Sequence, residues 1–196
     1  MQLSDAGINF IKQWEAFRGR PYNDGYGTVT IGYGHAIKAG ESFTSLTESE
    51  AAALLAQDAA WAEDAVNRRV YVPLTQSMFD ALTSLVFNWG EGNFSKSSLL
   101  SILNSGDYLT AAASLGKYPV TSKGIFSQGL ANRRAAESDL FLREGLPSGT
   151  ALVSPVDQAP SGDEYTVFLP SLEASDNSLL PLLALGVGIV ALVLLD

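Results

Sequence analysis

Residues 15–35 read EAFRGRPYNDGYGTVTIGYGH, and this stretch decides the class of fold. Glycine, proline, asparagine and aspartate recur through it and surround the β-forming residues 28–31. Turn-forming residues on either side of short runs of β-branched and aromatic residues are typical of strands that are joined by tight turns. The stretch therefore predicts a small antiparallel β-sheet close to the amino terminus.

Helical patterns occupy most of the chain on both sides of this stretch. Before it, apolar residues at near-helical spacing predict an opening helix over residues 4–17. After it, the capping-box sequence of Thr47 and Glu50 predicts the start of a helix over residues 51–70, in which Trp61 has apolar neighbours and is expected in the core. Further apolar repeats predict helices over residues 78–89, 98–103, 107–115 and 128–143. The predicted fold class is α+β, mostly helical, with one small sheet.

Two carboxyl groups near the amino terminus are candidates for glycosidic chemistry. Glu15 lies beside Trp14 and Phe17, and Asp24 lies in the turn sequence Asn-Asp-Gly. Hydrolysis of a glycosidic bond needs a protonated carboxyl that donates to the leaving oxygen and an ionised one that acts on water or as a nucleophile. Apolar surroundings favour the first form, and a polar turn favours the second. The alternative is that Asp24 only forms the turn and Glu15 is an ordinary exposed residue.

The order of three residues in this stretch resembles the catalytic region of phage-type lysozymes, the endolysin family of glycoside hydrolases. That family places a Glu, then an Asp nine positions on, then a Thr six positions further, and Glu15, Asp24 and Thr30 occupy these positions. Two further stretches resemble the central and the late helix of the family: residues 74–90 and residues 129–137. The resemblance covers residues 1–145 and implies a lysozyme-like fold.

The resemblance implies an N-acetylmuramidase, which hydrolyses the β-1,4 bond between N-acetylmuramic acid and N-acetylglucosamine in peptidoglycan. It also implies that Glu15 is the general acid, that Asp24 orients or deprotonates the attacking water, and that Thr30 helps to hold that water. This arrangement implies inversion at the anomeric carbon. Related transglycosylases lack the Asp and the Thr, so their presence here favours hydrolysis. Two alternatives stay open: a chitinase-like activity, and a catalytically silent wall-binding or structural protein on the same scaffold.

Other residues of the matched stretches are candidate supporting groups. The resemblance implies that Arg133 pairs with Glu15 and positions it, and the alternative is a solvated helix end. His35 is expected to make a structural hydrogen bond or ion pair with an acid on a later helix. Packing in the sheet and stacking on sugar rings explain three tyrosines equally well: Tyr22, Tyr26 and Tyr33.

The composition argues against several kinds of site. The chain has no cysteine and a single histidine, so we expect no disulfide, no thiolate metal site and no histidine-based zinc centre. Ligand clusters for other metals are also missing from the sequence. We therefore predict neither a metal nor a cofactor.

The charge distribution separates the carboxyl-terminal residues from the rest of the chain. Residues 1–147, the predicted catalytic domain, contain all 12 Lys and Arg, whereas the residues after them are acidic and argue against a nucleic-acid partner. Residues 148–178 are rich in proline, serine and acids, which predicts a linker. Residues 179–195 carry no charge and would extend over about 25 Å as a helix, which predicts a transmembrane span. A buried core helix is the alternative.

A membrane span would make a lipid bilayer a partner of the protein beside peptidoglycan. The first residues lack the basic and apolar pattern of a secretory signal, so we expect the domain to start on the cytoplasmic side. Two settings are consistent with this orientation. In one, the enzyme waits at the host inner membrane until a holin acts. In the other, it is associated with a virion that has an internal membrane, together with other virion proteins, and opens the wall at entry.

Overall fold

The computed structural model of the protein describes residues 1–25, 27–118, 121–122 and 125–150. The chain divides into two units, Met1–Leu152 and Val153–Asp196, and every described residue belongs to the first. The predicted span at 179–195 and most of the predicted linker therefore lie outside the described residues, as does Tyr26. Among the helices that the structure describes, none is long and apolar enough to cross a membrane.

The described elements are mainly helices, with one small sheet near the start of the chain, and this confirms the predicted fold class. The helices are α1 (Asp5–Lys12), α2 (Glu48–Arg69), α3 (Gln76–Trp89), α4 (Glu91–Phe94), α5 (Ser98–Asn104), α6 (Tyr108–Leu115) and α7 (Gln128–Leu142). The strands are β1 (Arg18–Asn23), β2 (Val29–Gly32), β3 (His35–Ala36), β4 (Thr121–Ser122) and β5 (Ile125–Phe126).

Strands β1, β2 and β3 form an antiparallel sheet in the order β1-β2-β3. The turn between β1 and β2 requires glycine at two positions, because Gly25 has a φ of 84° and Gly27 a φ of 96°. The side chain of Asn23 supports this turn by accepting a hydrogen bond from the Gly25 N–H at 2.8 Å. The turn residues that predicted the sheet are therefore the ones that form it.

Polar side chains cap the amino ends of most described helices. The predicted capping box is confirmed at α2, where the Glu50 N–H donates to Thr47 Oγ1 and the Thr47 N–H donates to Glu50 Oε2. Each such cap satisfies a backbone N–H group that has no partner inside the helix. The other residues whose side chains accept from the first turn are Ser4, Thr75, Ser97, Asp107 and Ser127.

The buried apolar side chains form two clusters, which divide the described unit into two lobes. The larger cluster joins α3, α5, α6 and α7 to the later turns of α2, and the smaller one joins the sheet to α1 and to the first turns of α2. Helix α1 contributes to both clusters, since Phe10 belongs to the larger and Ile11 to the smaller. Phe87 of α3 is half-buried and packs against both clusters. The two lobes are therefore joined by α1, α2 and Phe87.

Two expectations from the sequence are corrected by the structure. The opening helix ends at Lys12 instead of Phe17, and Phe17 packs against Tyr33 of the sheet with 5.4 Å between the ring centroids. Trp61 is not in the core, because 44% of its surface is exposed. The apolar stripe of α2 consists mostly of small alanines at helical spacing, and Trp61 lies beside that stripe, next to the buried Ala62.

Candidate active site

Glu15 lies in the bend that follows α1, between Trp14, which packs against the larger cluster, and Phe17, which packs against the smaller one. This places Glu15 at the junction of the two lobes. Its side chain is 28% exposed, and its Oε1 accepts a hydrogen bond of 2.8 Å from Nη1 of Arg133. The neighbouring Trp14 is half-buried against Phe10, with 6.2 Å between the ring centroids. Glu15 is therefore fixed by a guanidinium group on one side, beside an aromatic residue, while part of its carboxylate stays accessible.

Arg133 is buried on α7 and reaches three groups at once. Besides Glu15, its Nε donates to Glu137 Oε1 at 3.2 Å, and its Nη2 donates to the Oγ of Ser84 at 3.2 Å and, more weakly, to the Ser84 carbonyl at 3.4 Å. Because Ser84 belongs to α3, the guanidinium also links two helices. A planar fork held at several points has little freedom to rotate. The position of the Glu15 carboxylate is therefore set by the packing of α7 on α3.

Asp24 and Thr30 lie on the hairpin of β1 and β2. Asp24 follows the last residue of β1, and its Oδ1 accepts a hydrogen bond of 3.1 Å from the Thr28 N–H. Thr30 lies in β2 opposite Tyr22 and is only 6% exposed. Within the part of the chain that the structure describes, the buried Oγ1 of Thr30 has no hydrogen-bond partner. The hairpin thus presents a carboxylate held by a backbone N–H group and a hydroxyl with spare hydrogen-bonding capacity.

His35 is buried, and both of its ring nitrogens contact carboxylates. Nδ1 lies 2.9 Å from both carboxylate oxygens of Asp58 on α2, and Nε2 lies 2.9 Å from Oε2 of Glu41. Burial lowers the pKa of His35, but the hydrogen bonds and charges of Glu41 and Asp58 outweigh that effect, so the pKa lies above its ordinary value. The acid on a later helix that the sequence predicts is Asp58, and His35 joins the sheet to α2.

The described tyrosines of the hairpin differ in their surroundings. Tyr22 is half-buried, and the Arg18 guanidinium lies 5.5 Å from its ring centroid. Tyr33 is only 7% exposed and packs against Phe17. Burial favours sheet packing as the main role of Tyr33, whereas Tyr22 keeps accessible surface.

Comparison with known proteins agrees with this geometry. The model of the family described as phage lysozyme matches residues 12–137. The chain belongs to the phage lysozyme family. It is similar to an endolysin of Bacillus phage PZA, with 37% identity over 177 residues that cover 85% of this chain and 67% of the relative. Endolysins at this level of identity, with the family match, show that the chain is a glycoside hydrolase.

Two solved structures place this phage lysozyme among known folds. A mutant of P22 lysozyme has a TM-score of 0.66 and 37% identity over 72% of this chain and 99% of that chain. The muramidase domain of SpmX from Asticaccaulis excentricus has a TM-score of 0.65 and 35% identity over 72% of this chain and 97% of that chain. These matches confirm the lysozyme-like fold of the larger, described part of the chain.

The sequence did not predict the role of Glu137, a buried acid on α7 that contacts Arg133. Oε1 of Glu137 accepts hydrogen bonds from Arg133, from Nη2 of Arg134 at 2.9 Å and from the Ser84 hydroxyl at 2.7 Å. Burial raises the pKa of Glu137 and lowers the pKa of Arg134 to about 10, and the attraction between the opposite charges opposes both shifts. The spacing of four residues between Arg133 and Glu137 was the available signal, since residues four apart share a helix face.

Proposed function

We propose that this phage lysozyme is an N-acetylmuramidase that hydrolyses the β-1,4 bond between N-acetylmuramic acid and N-acetylglucosamine in peptidoglycan. The observation that carries the proposal is the Glu15 carboxylate, held by Arg133 at the lobe junction and still partly accessible. Such a group is preorganised to act on a polymer that lies between the lobes. The similarity to a muramidase domain supports the choice of bond.

Each of the three proposed catalytic residues has a separate role. Glu15 donates a proton to the leaving glycosidic oxygen. Asp24 accepts a proton from the attacking water, and the Thr30 hydroxyl holds that water. The role of Thr30 is supported by its buried Oγ1, which has no partner among the described residues. Because water attacks from the face opposite the leaving group, we propose that the anomeric configuration is inverted.

The decisive experiment is digestion of purified peptidoglycan by the full chain, with mass spectrometry of the products. We expect reducing-end muramic products from the wild type and a loss of at least about 10²-fold in rate for Glu15→Gln and for Asp24→Asn. Glu48→Gln is the matched control, because Glu48 is an exposed carboxylate in the first turn of α2. The anomer that is released first, followed by NMR, tests inversion.

The other outcomes of this experiment contradict specific parts of the proposal. Anhydro-muramic ends would mean a transglycosylase and would contradict the roles of Asp24 and Thr30. Faster cleavage of chitin oligomers than of cell walls would contradict the choice of bond. Binding to walls without cleavage by a folded wild-type chain would favour the catalytically silent wall-binding protein.

We also propose that residues 148–178 are a linker and that residues 179–195 anchor the enzyme in a bilayer. The support is the sequence itself: 17 uncharged, mostly aliphatic residues follow a stretch rich in proline, serine and acids. The bilayer would be the host inner membrane or an internal membrane of the virion. In the first case a holin gives access to the wall, and in the second the enzyme acts at entry beside other virion proteins. Purified virions that contain no copy of the chain would contradict the virion setting.

A further inference from the structure

An open cavity of about 420 Å³ lies beside the sheet, and neither Glu15 nor Arg133 is among the residues that line it. Its wall is formed by the segment around Gly34 and Ala36, by Gln57 and Trp61 of α2, and by Phe87 of α3. A volume of this size falls in the range of sites that bind small molecules or single groups of a polymer. The wall combines aromatic surface with polar side chains, which include Lys38 and Asp58.

Trp61 is the most exposed aromatic residue of this wall. It keeps 44% of its surface accessible, and its indole is stacked on the Phe87 ring with 6.3 Å between the centroids and 26° between the planes. Phe87 in turn packs against both apolar clusters, so the stacked pair is fixed to the lobe junction. A large aromatic side chain that is held rigidly at the rim of a cavity offers contact area at little cost in conformational entropy.

The sheet connects this cavity to the proposed catalytic residues. Ala36 of β3 lies directly opposite Thr30 of β2 in the antiparallel ladder. Opposed residues of such a ladder have Cα atoms about 4.5–5.5 Å apart and side chains on the same face. Because Ala36 also lines the cavity, a linear polymer whose scissile bond lies at Thr30 would enter the cavity with a neighbouring sugar and reach Trp61 with the sugars that follow.

We infer that Trp61, backed by Phe87, is the stacking platform of a distal substrate subsite that binds one N-acetylhexosamine ring of the glycan strand. The inference rests on the proposed function and adds a specificity-determining residue to it. The C–H groups on the face of a pyranose ring carry partial positive charge and pack on the negative face of an indole. Lys38 and Gln57 can donate hydrogen bonds to the hydroxyl and N-acetyl oxygens of the same ring.

The first test measures cleavage of alternating N-acetylglucosamine and N-acetylmuramic acid oligomers of four, six and eight sugars by the full chain. In the wild type, KM falls as the oligomer becomes long enough to reach Trp61. In Trp61→Ala, KM for the long oligomers rises about 10-fold, kcat stays within about twofold, and the length dependence disappears, as expected when uniform binding is removed. Trp61→Phe restores part of the affinity. Tyr71→Ala is the control, because Tyr71 is 81% exposed outside the cavity wall.

The second test measures binding of the oligomer in a variant that cannot cleave it. In Glu15→Gln, we expect the indole N–H signal of Trp61 to shift in an NMR titration with the octamer. Normal cleavage with no shift of this signal, and an unchanged KM in Trp61→Ala, would overturn the platform. A shift of the signal in a chain that never cleaves would leave the platform in place and contradict the proposed function, so the two failures are distinguishable.

Discussion

At the scale of single residues, Arg133 connects the fold to the proposed chemistry. Its guanidinium donates to Glu15, Glu137 and Ser84 simultaneously. Lysine has one compact ammonium group and cannot keep this planar arrangement. We expect Arg133→Lys to lower kcat on the order of 10²-fold, because a carboxylate displaced by about 1 Å loses its alignment with the leaving oxygen. Full activity of this variant would contradict a positioning role.

The matched control for this prediction is Arg134→Lys. Arg134 is as deeply buried and shares Glu137, but its other contact is Asn88 at 3.1 Å. We expect both variants to lose stability in chemical denaturation. Activity at a temperature at which both remain folded should fall much further for Arg133→Lys than for Arg134→Lys. Equal losses of kcat would mean that Arg133 affects activity only by stabilising the fold, as Arg134 does.

Glu137 supports a second prediction at this scale. Its side chain is fully buried and balances the charges of Arg133 and Arg134. Glu137→Gln leaves both guanidinium groups without that carboxylate, and we expect the free energy of unfolding to fall by about 3–5 kcal/mol. Ser84→Ala removes one hydrogen bond to the carboxylate and one from Arg133 but no charge, and it should cost about 1–3 kcal/mol. Denaturant unfolding of the two variants should rank them in this order, and the reverse order would refute the charge-balance argument.

At the scale of elements, the contact of α1 with α3 depends on a glycine. A Cβ atom built on Gly7 would lie 2.6 Å from Cγ of Asp80 and 2.7 Å from Cδ2 of Leu3. Asp80 cannot easily move, since it accepts hydrogen bonds from the N–H and hydroxyl of Ser4. Alanine in a helix is ordinarily better than glycine by about 1 kcal/mol, but overpacking costs about 1–3 kcal/mol and should prevail.

We therefore expect Gly7→Ala to lower the melting temperature. Gly129→Ala in α7 is the control, because the nearest atom to its added Cβ is Ser127 Oγ at 3.9 Å. That variant should be neutral or slightly more stable. A Gly7→Ala protein as stable as the control would mean that α1 shifts on α3 without strain.

The link between the sheet and α2 should depend on pH. The pKa of His35 is raised in the folded protein, so its ion pairs with Glu41 and Asp58 contribute fully below the unfolded value of about 6.5. That contribution is lost as the pH rises through the folded pKa. We expect the difference in melting temperature between the wild type and His35→Asn to be larger at pH 5.5 than at pH 9.

Asp107→Asn is the control for this pH series. The hydrogen bonds from Thr110 lower the pKa of the Asp107 carboxyl, so its contribution is present above the unfolded value and is constant from pH 5.5 to 9. A difference for His35→Asn that does not change with pH would show that His35 packs as a neutral ring.

Local signals predicted most elements, and long-range contacts explain the misses. The cap at Thr47 and the turn glycines act on neighbouring residues, so a local sequence pattern is enough to predict them. The bridge from Ser84 to Glu137 joins residues 53 positions apart, and no local pattern encodes it. The stacking of Trp61 on Phe87 also joins two different helices, and the spacing of residues within α2 does not encode it. The short α4 and the β4–β5 pairing were not predicted either, because they have few residues and no sustained period.

At the scale of the whole molecule, the segment that follows α7 is hydrogen-bonded to the start of α3. The Glu144 N–H donates to Ser77 Oγ at 3.3 Å, and the Ser77 N–H donates to Oε2 of Glu144 at 3.2 Å. The end of the α7 segment is thereby tied to the start of α3. These two hydrogen bonds are the last ones along the described chain that join it to α3.

A chain that ends at Thr150 tests the proposal that residues 179–195 anchor the enzyme and are not needed for catalysis. We expect it to melt within about 2 °C of the full chain and to digest soluble glycan oligomers equally well, since both described core clusters are formed by residues 3–146. The full chain should sediment with lipid vesicles after a high-salt wash, and the shortened chain should stay in the supernatant. Val187→Arg with Val190→Arg should release the full chain as well, because each arginine near the middle of a span costs about 2.5–3.5 kcal/mol. If the shortened chain sediments as well as the full one, the membrane contact belongs to the catalytic unit, and residues 179–195 need another function.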